Sequence, residues 1–107
     1  MIIFVDIDET ICHHDITEPR NYSNAQPYPK RIEKINELYS QGNTIVYWTA
    51  RGTKTGLNWF TLTVSQLDKW GCKYHELRMG KPNYDLFIDD KNINSDYYFN
   101  SDYFQSE

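Results

Sequence analysis

The stretch Ile2-Ile3-Phe4-Val5-Asp6-Ile7-Asp8-Glu9-Thr10 decides how this chain is read. Its four leading apolar residues predict a short strand buried on both faces. That strand runs straight into two carboxylates. Burying a carboxylate is costly unless a metal or a donor compensates it. Asp6 and Asp8 stand two apart, so along an extended chain they project to the same side. Such a pair is expensive for folding and useful for chemistry, which makes it a candidate catalytic or metal-binding site.

The surrounding composition sets the frame. With 107 residues the chain makes one domain, 1–107, with a modest core. At 39% hydrophobic and 16% aromatic it is globular rather than disordered. A net charge of −4 weighs against a general nucleic-acid binder and requires local cations if the substrate is anionic. No signal peptide or membrane span is readable, and Cys12 and Cys72 do not form a disulfide framework. A reducing, cytoplasmic setting and two ordinary free thiols are the expectation.

Outward from the first strand, the chain alternates strands and helices. Residues 11–29 are polar, carry Pro19, Pro27 and Pro29, and are long enough for a functional loop. Ile32, Ile35, Leu38 and Tyr39 follow helical spacing within 30–41, with Gly42 as the stop. Thr44-Ile45-Val46-Tyr47-Trp48 reads as a second buried strand, followed by the loop Thr49-Ala50-Arg51-Gly52. Thr53 or Thr55 is placed to cap a second helix whose core face is Leu57, Phe60, Val64 and Leu67. A weaker strand is expected around 73–77, and Asp85-Leu86-Phe87-Ile88 as the last strand, ending in Asp89-Asp90. This pattern predicts a three-layer, Rossmann-like α/β fold with a central parallel sheet. Beyond it, Asn94-Ser95-Asp96-Tyr97-Tyr98-Phe99 is nearly echoed by Asn100-Ser101-Asp102-Tyr103-Phe104. Its periodicity fits neither helix nor strand, and its aromatics suit packing or a homo-oligomer contact.

Two strands thus end in acidic pairs and a third in Thr-Ala-Arg. In doubly wound sheets ligands sit beyond the carboxyl ends of strands. Asp6, Asp8, Asp89 and Asp90 together suit a hard, oxygen-loving cation, Mg²⁺ above all. Lys81, just before the last strand, can place an ammonium over the same site. Carboxylates, Mg²⁺, a lysine and a hydroxyl or guanidinium are what phosphoryl transfer requires.

The chain resembles the haloacid dehalogenase (HAD) superfamily of aspartate-nucleophile phosphatases. Asp6-Ile7-Asp8-Glu9-Thr10 is similar to the family's first motif, Thr49 at a strand end to its second, Lys81 to its third and Asp89-Asp90 to its fourth. More narrowly, Trp48-Thr49-Ala50-Arg51, Lys81-Pro82-Asn83-Tyr84-Asp85 and Ile88-Asp89-Asp90-Lys91 are similar to small HAD phosphatases of capsule-polysaccharide biosynthesis.

The resemblance implies roles. Asp6 would attack phosphorus to form an aspartyl-phosphate, and Asp8 would serve as acid and then base. Thr49 would hydrogen-bond the phosphoryl group, with Ala50 and Arg51 beside it as substrate contacts, and Lys81 would offset charge on Asp6 and the phosphate. Mg²⁺ would be held by Asp6, the main-chain carbonyl of Asp8, and Asp89 and/or Asp90. The gaps between motifs leave no room for a cap domain, which implies a capless member with an open site. Residues 11–29, with His13, His14, Arg20 and Tyr22, would form its flap. The expected activity is a Mg²⁺-dependent phosphohydrolase acting on a sugar phosphate or a similar small phosphate ester. A nucleotide or polynucleotide-end phosphatase is the alternative within the enzyme class, and a catalytically silent phosphate-binding module is the alternative outside it. For Arg51 and Lys54, a plain surface role serves almost as well as contact with the remote part of the substrate.

Overall fold

The computed structural model describes residues 1–14 and 21–100; Arg20 of the expected flap and residues 101–107 of the aromatic tail lie outside the described residues. Strand β1 (Ile2–Val5) pairs in parallel with β4 (Thr44–Trp48), which pairs in parallel with β5 (Glu76–Arg78), so β4 is the middle of a three-stranded sheet. A two-stranded antiparallel ribbon joins β2 (Cys12–His13) to β3 (Gln26–Pro27). Helix α1 (Pro29–Ser40) links that ribbon to β4, and α2 (Phe60–Lys69) links β4 to β5.

Helix α1 forms where the apolar spacing places it. Pro29 opens it, where a missing N–H costs nothing, and Ile32 and Ile35 are buried against the sheet. Its end is Gly42, whose φ of +96° is the left-handed turn that glycine adopts without a Cβ clash. The core joins Val5, Ile7, Ile11, Ile35, Ile45, Tyr47 and Leu67, with Phe99 arriving from the far end of the chain.

Four expectations are corrected, and one boundary shifts. First, β1 is not buried on both faces: Ile2 is 73% and Phe4 46% exposed, while Ile3 and Val5 turn inward. Phe4 instead meets the Trp48 ring edge-on, with the Arg78 guanidinium over its own ring. Second, residues 85–88 form no strand, and Leu86, Phe87 and Ile88 are exposed. This apolar run is three residues long and bounded by carboxylates, so seating it in a sheet would draw Asp85 and Asp89 out of water for little apolar gain.

Third, the core face of α2 is Thr63, Gln66 and Leu67, whereas Leu57 and Phe60 are exposed. Asn58, not a threonine, receives the first helical N–H, that of Phe60, and Leu57 lies before the helix begins. Fourth, Ser95–Asn100 is a helix, α3, because the Asn94 side chain accepts from the N–H groups of Asp96 and Tyr97. Its Phe99 is buried, and Arg31 is stacked between the Phe99 and Tyr28 rings. The weak strand also begins later than expected, at Glu76.

Candidate active site

All three parallel strands deliver their carboxyl ends to one region. β1 leads into Asp6, and the chain then turns sharply: the Ile7 carbonyl accepts from the N–H groups of Thr10 and Ile11, and Glu9 sits at φ +63°. The Thr10 hydroxyl lies 3.4 Å from Asp6 Oδ2. β4 leads into Thr49, whose N–H donates to the Arg78 carbonyl at the end of β5. Two further bonds stitch the loops after β4 and β5 together. The Lys81 N–H donates to the Thr49 carbonyl (3.0 Å), and the Thr53 hydroxyl donates to the Lys81 carbonyl (2.8 Å).

This stitching brings Lys81 to Asp6, with Nζ 3.3 Å from Oδ1. The ammonium also lies 5.8 Å from the Trp48 ring and 5.5 Å from the Tyr84 ring, an aromatic flank favourable to a cation. The Asp6 side chain stays 37% exposed, open to a reactant. Burial pushes its carboxyl above the usual value, more than the neighbouring Lys81 ammonium and the Ile7 N–H bring it down.

Asp8 stands in different company. Arg51 forks onto it, with Nη2 2.8 Å from Oδ1 and Nε 3.0 Å from Oδ2. The Arg51 side chain is fully buried. Its Nη1 donates to the Thr63 hydroxyl (3.2 Å) and the Gln66 carbonyl oxygen (2.5 Å), and the Tyr22 ring lies under the guanidinium at 4.8 Å. Cys12 Sγ, 3.5 Å from Asp8 Oδ1, completes the pocket. His14 bridges the rim: Nδ1 is 3.2 Å from Glu9 Oε1, and Nε2 is 3.2 Å from Asp8 Oδ1 without the alignment of a hydrogen bond.

The residues predicted from sequence therefore divide. Asp6, Lys81 and Thr49 come together, although Thr49 is buried and its hydroxyl already accepts from the Arg51 N–H. Arg51 faces Asp8 instead of solvent, which corrects the alternative of a plain surface role for it. Ala50 is half-buried, its carbonyl accepting from the Thr53 N–H, and Lys54 is exposed. Asp89 and Asp90 are exposed in the turn after residues 85–88. Among the described residues, the one group with three candidate ligand atoms within 4.8 Å of one another is Asp8, Cys12 and His14, not Asp6 with Asp8, Asp89 or Asp90. The Arg51 guanidinium sits directly against that group, 2.8 Å from Asp8 and 4.0 Å from Cys12. Its charge already meets the carboxylate a cation would seek.

Sequence reading missed Thr63 and Gln66, while Tyr22, expected in the flap, does lie beside the site. The available signal was the placement of two polar residues, three apart, on the otherwise apolar face of α2. Beside the site, a recess of about 180 Å³ opens between the loop after β4 and Met79–Gly80, walled by Leu57 and Trp59.

No family model matches the chain, and no curated protein does. The fold is similar to the crystal structure of an MCSG target from Vibrio cholerae, with a TM-score of 0.77 and 26% identity over 91% of this chain and 85% of that one. The class shown is an α/β domain built on a parallel sheet with its polar cluster at the strand ends. Among the described residues no helix is long and apolar enough to cross a membrane.

Proposed function

We propose that this chain is a capless phosphohydrolase of the haloacid dehalogenase type, with Asp6 as nucleophile. The observation that carries the reading is the Lys81 ammonium 3.3 Å from an Asp6 carboxylate that remains open to solvent. A carboxylate at a strand end, beside a fixed cation and still partly open to solvent, is set up to approach an anionic phosphorus centre. Lys81 offsets charge on the nucleophile and on the phosphoryl oxygens. Asp6 attacks in line, and Asp8 manages the proton of the leaving oxygen and then that of the incoming water. The half-exposed site and the recess beside it suit a small phosphate ester such as a sugar phosphate.

Mg²⁺ belongs to the proposal by the chemistry of its donors, since Asp6, Asp89 and Asp90 offer the hard oxygens it takes, and when bound it would neutralise phosphoryl charge. Among the described residues, Asp89 and Asp90 do not gather with Asp6 into a three-ligand group.

The test is phosphate release from sugar phosphates, nucleotides and 5′-phosphorylated DNA, with Mg²⁺ and with EDTA, for the natural chain and Asp6→Asn. Turnover that requires Asp6 supports the reading, and metal-dependent turnover on one group names the substrate class. Undiminished turnover by folded Asp6→Asn removes Asp6 as nucleophile.

A further inference from the structure

The surroundings of Asp8 are more specific than its proposed role demands. Its two carboxylate oxygens are not equivalent. Oδ1 is crowded: Arg51 Nη2 is at 2.8 Å, Arg51 Nε at 3.3 Å, the Cys12 thiol at 3.5 Å and His14 Nε2 at 3.2 Å. Among the described residues Oδ2 has one close donor, Arg51 Nε at 3.0 Å. The guanidinium is itself immobilised. Every one of its nitrogens has a partner, Nη1 being tied to Thr63 and Gln66 on α2. Those two partners are anchored in turn. The Thr63 hydroxyl donates to the Trp59 carbonyl (2.7 Å), and Gln66 Nε2 donates to the Tyr22 carbonyl (2.7 Å). A planar fork held on three sides fixes a carboxylate in one orientation, which a single ammonium cannot do.

We infer that Arg51, held by Thr63, Gln66 and Tyr22, is the positioning residue of Asp8, forking onto both carboxylate oxygens so that Oδ2, the less crowded of the two, is the oxygen that exchanges the proton. This rests on the phosphohydrolase reading above. In the first step the Asp6 oxygen bonds to phosphorus, the phosphorus–leaving-oxygen bond breaks, and the proton on Asp8 Oδ2 goes to the leaving oxygen. In the second, a water oxygen bonds to phosphorus, the Asp6–phosphorus bond breaks, and the water proton returns to Asp8 Oδ2. Arg51 touches neither reactant. It acts by keeping Oδ2 aimed, so its loss falls on kcat and not on KM.

The experiment measures kcat and KM for p-nitrophenyl phosphate with Mg²⁺ in the natural chain, Arg51→Ala, Arg51→Lys and Gln66→Leu, with folding checked by circular dichroism. Arg51→Ala is expected to lose about 10²-fold in kcat with KM nearly unchanged, as for a misaimed catalytic group. Added guanidinium ion should recover a large part of that loss by entering the vacated pocket, while Arg51→Lys should remain impaired. Should Arg51→Ala fail to fold, Gln66→Leu carries the test, with a smaller kcat loss at constant KM. A folded variant with natural kcat, or a loss confined to KM, overturns the inference and returns Arg51 to substrate binding. Failure of the natural chain to release phosphate from this ester and the panel above overturns the phosphohydrolase reading itself, a different outcome from activity that ignores Arg51.

Discussion

Lys81 Nζ stands 3.3 Å from Asp6 Oδ1, yet the pairing does not fully compensate the carboxylate for its burial. Desolvation is the larger influence and leaves the carboxyl raised above 3.8, with the lysine pulling the other way. The folded chain therefore holds its proposed nucleophile at an energetic disadvantage, as functional carboxylates commonly are.

That disadvantage has a pH signature. Well below pH 3.8 the Asp6 carboxyl is protonated in both folded and unfolded chains. As pH rises through that value the unfolded chain ionises first, so this group's contribution to stability is lost until the folded carboxyl has ionised as well. Asp6→Asn, which cannot ionise, should have a higher Tm than the natural chain at pH 7, with the gap narrowing toward pH 3.8 and below. Thermal unfolding from pH 3 to 8 checks this. An equal or lower Tm at pH 7 would show that Lys81 offsets the burial after all.

Gly52 turns the backbone in the loop that carries Thr49 and Arg51. It sits at φ +83°, and a Cβ there would lie 2.1 Å from the Leu57 carbonyl oxygen. Gly52→Ala must move backbone, not merely a side-chain tip, and should cost about 2 kcal/mol or more in urea unfolding. Gly42→Ala, with positive φ but open space around it, should cost less.

Residues 86–88 distinguish the structure from the pattern. A core strand would lose about 2–5 kcal/mol on truncation of one large apolar side chain. Leu86 is 75% and Ile88 87% exposed, so Leu86→Ser and Ile88→Ser should each stay within about 0.5 kcal/mol of the natural chain. A loss of core size in denaturant unfolding would place these side chains inside the protein in solution.

Cys12 is fully buried beside Asp8, and burial with that negative neighbour pushes its thiol up to about 12. Cys72 is pushed up to about 11, chiefly by burial. Both should resist a thiol reagent at pH 8 in the folded chain and react promptly in urea, because the thiolate is the nucleophile. Rapid labelling of Cys12 in the native protein would mean that the Asp8 pocket opens readily.

Much of the frame was legible in the chain itself. Period and punctuation placed α1 and β4 within a residue or so, since apolar spacing and a glycine stop are local properties. The nearness of Lys81 to Asp6 was legible too, because both were expected beyond the strand ends of one sheet. Residues 85–88 misled because a short apolar run reads as a strand whether or not an edge receives it. The face of α2 misled because Thr63 and Gln66 are polar and turn inward only through bonds to Arg51 and Tyr22, which lie on other elements of the fold.

By itself, then, the order of residues determined an α/β chain with carboxylates, a hydroxyl and a lysine at strand ends, since each follows from residue types and their spacing. Only the tertiary structure decided which charges meet. It gave Lys81 to Asp6, turned Arg51 inward to fork onto Asp8, and left Asp89 and Asp90 at the surface. The physical reason is that a guanidinium and a carboxylate remote in sequence become neighbours only when packing of the elements between them closes the distance. In the interior an unmatched charge is too costly to keep, so packing and pairing are settled together.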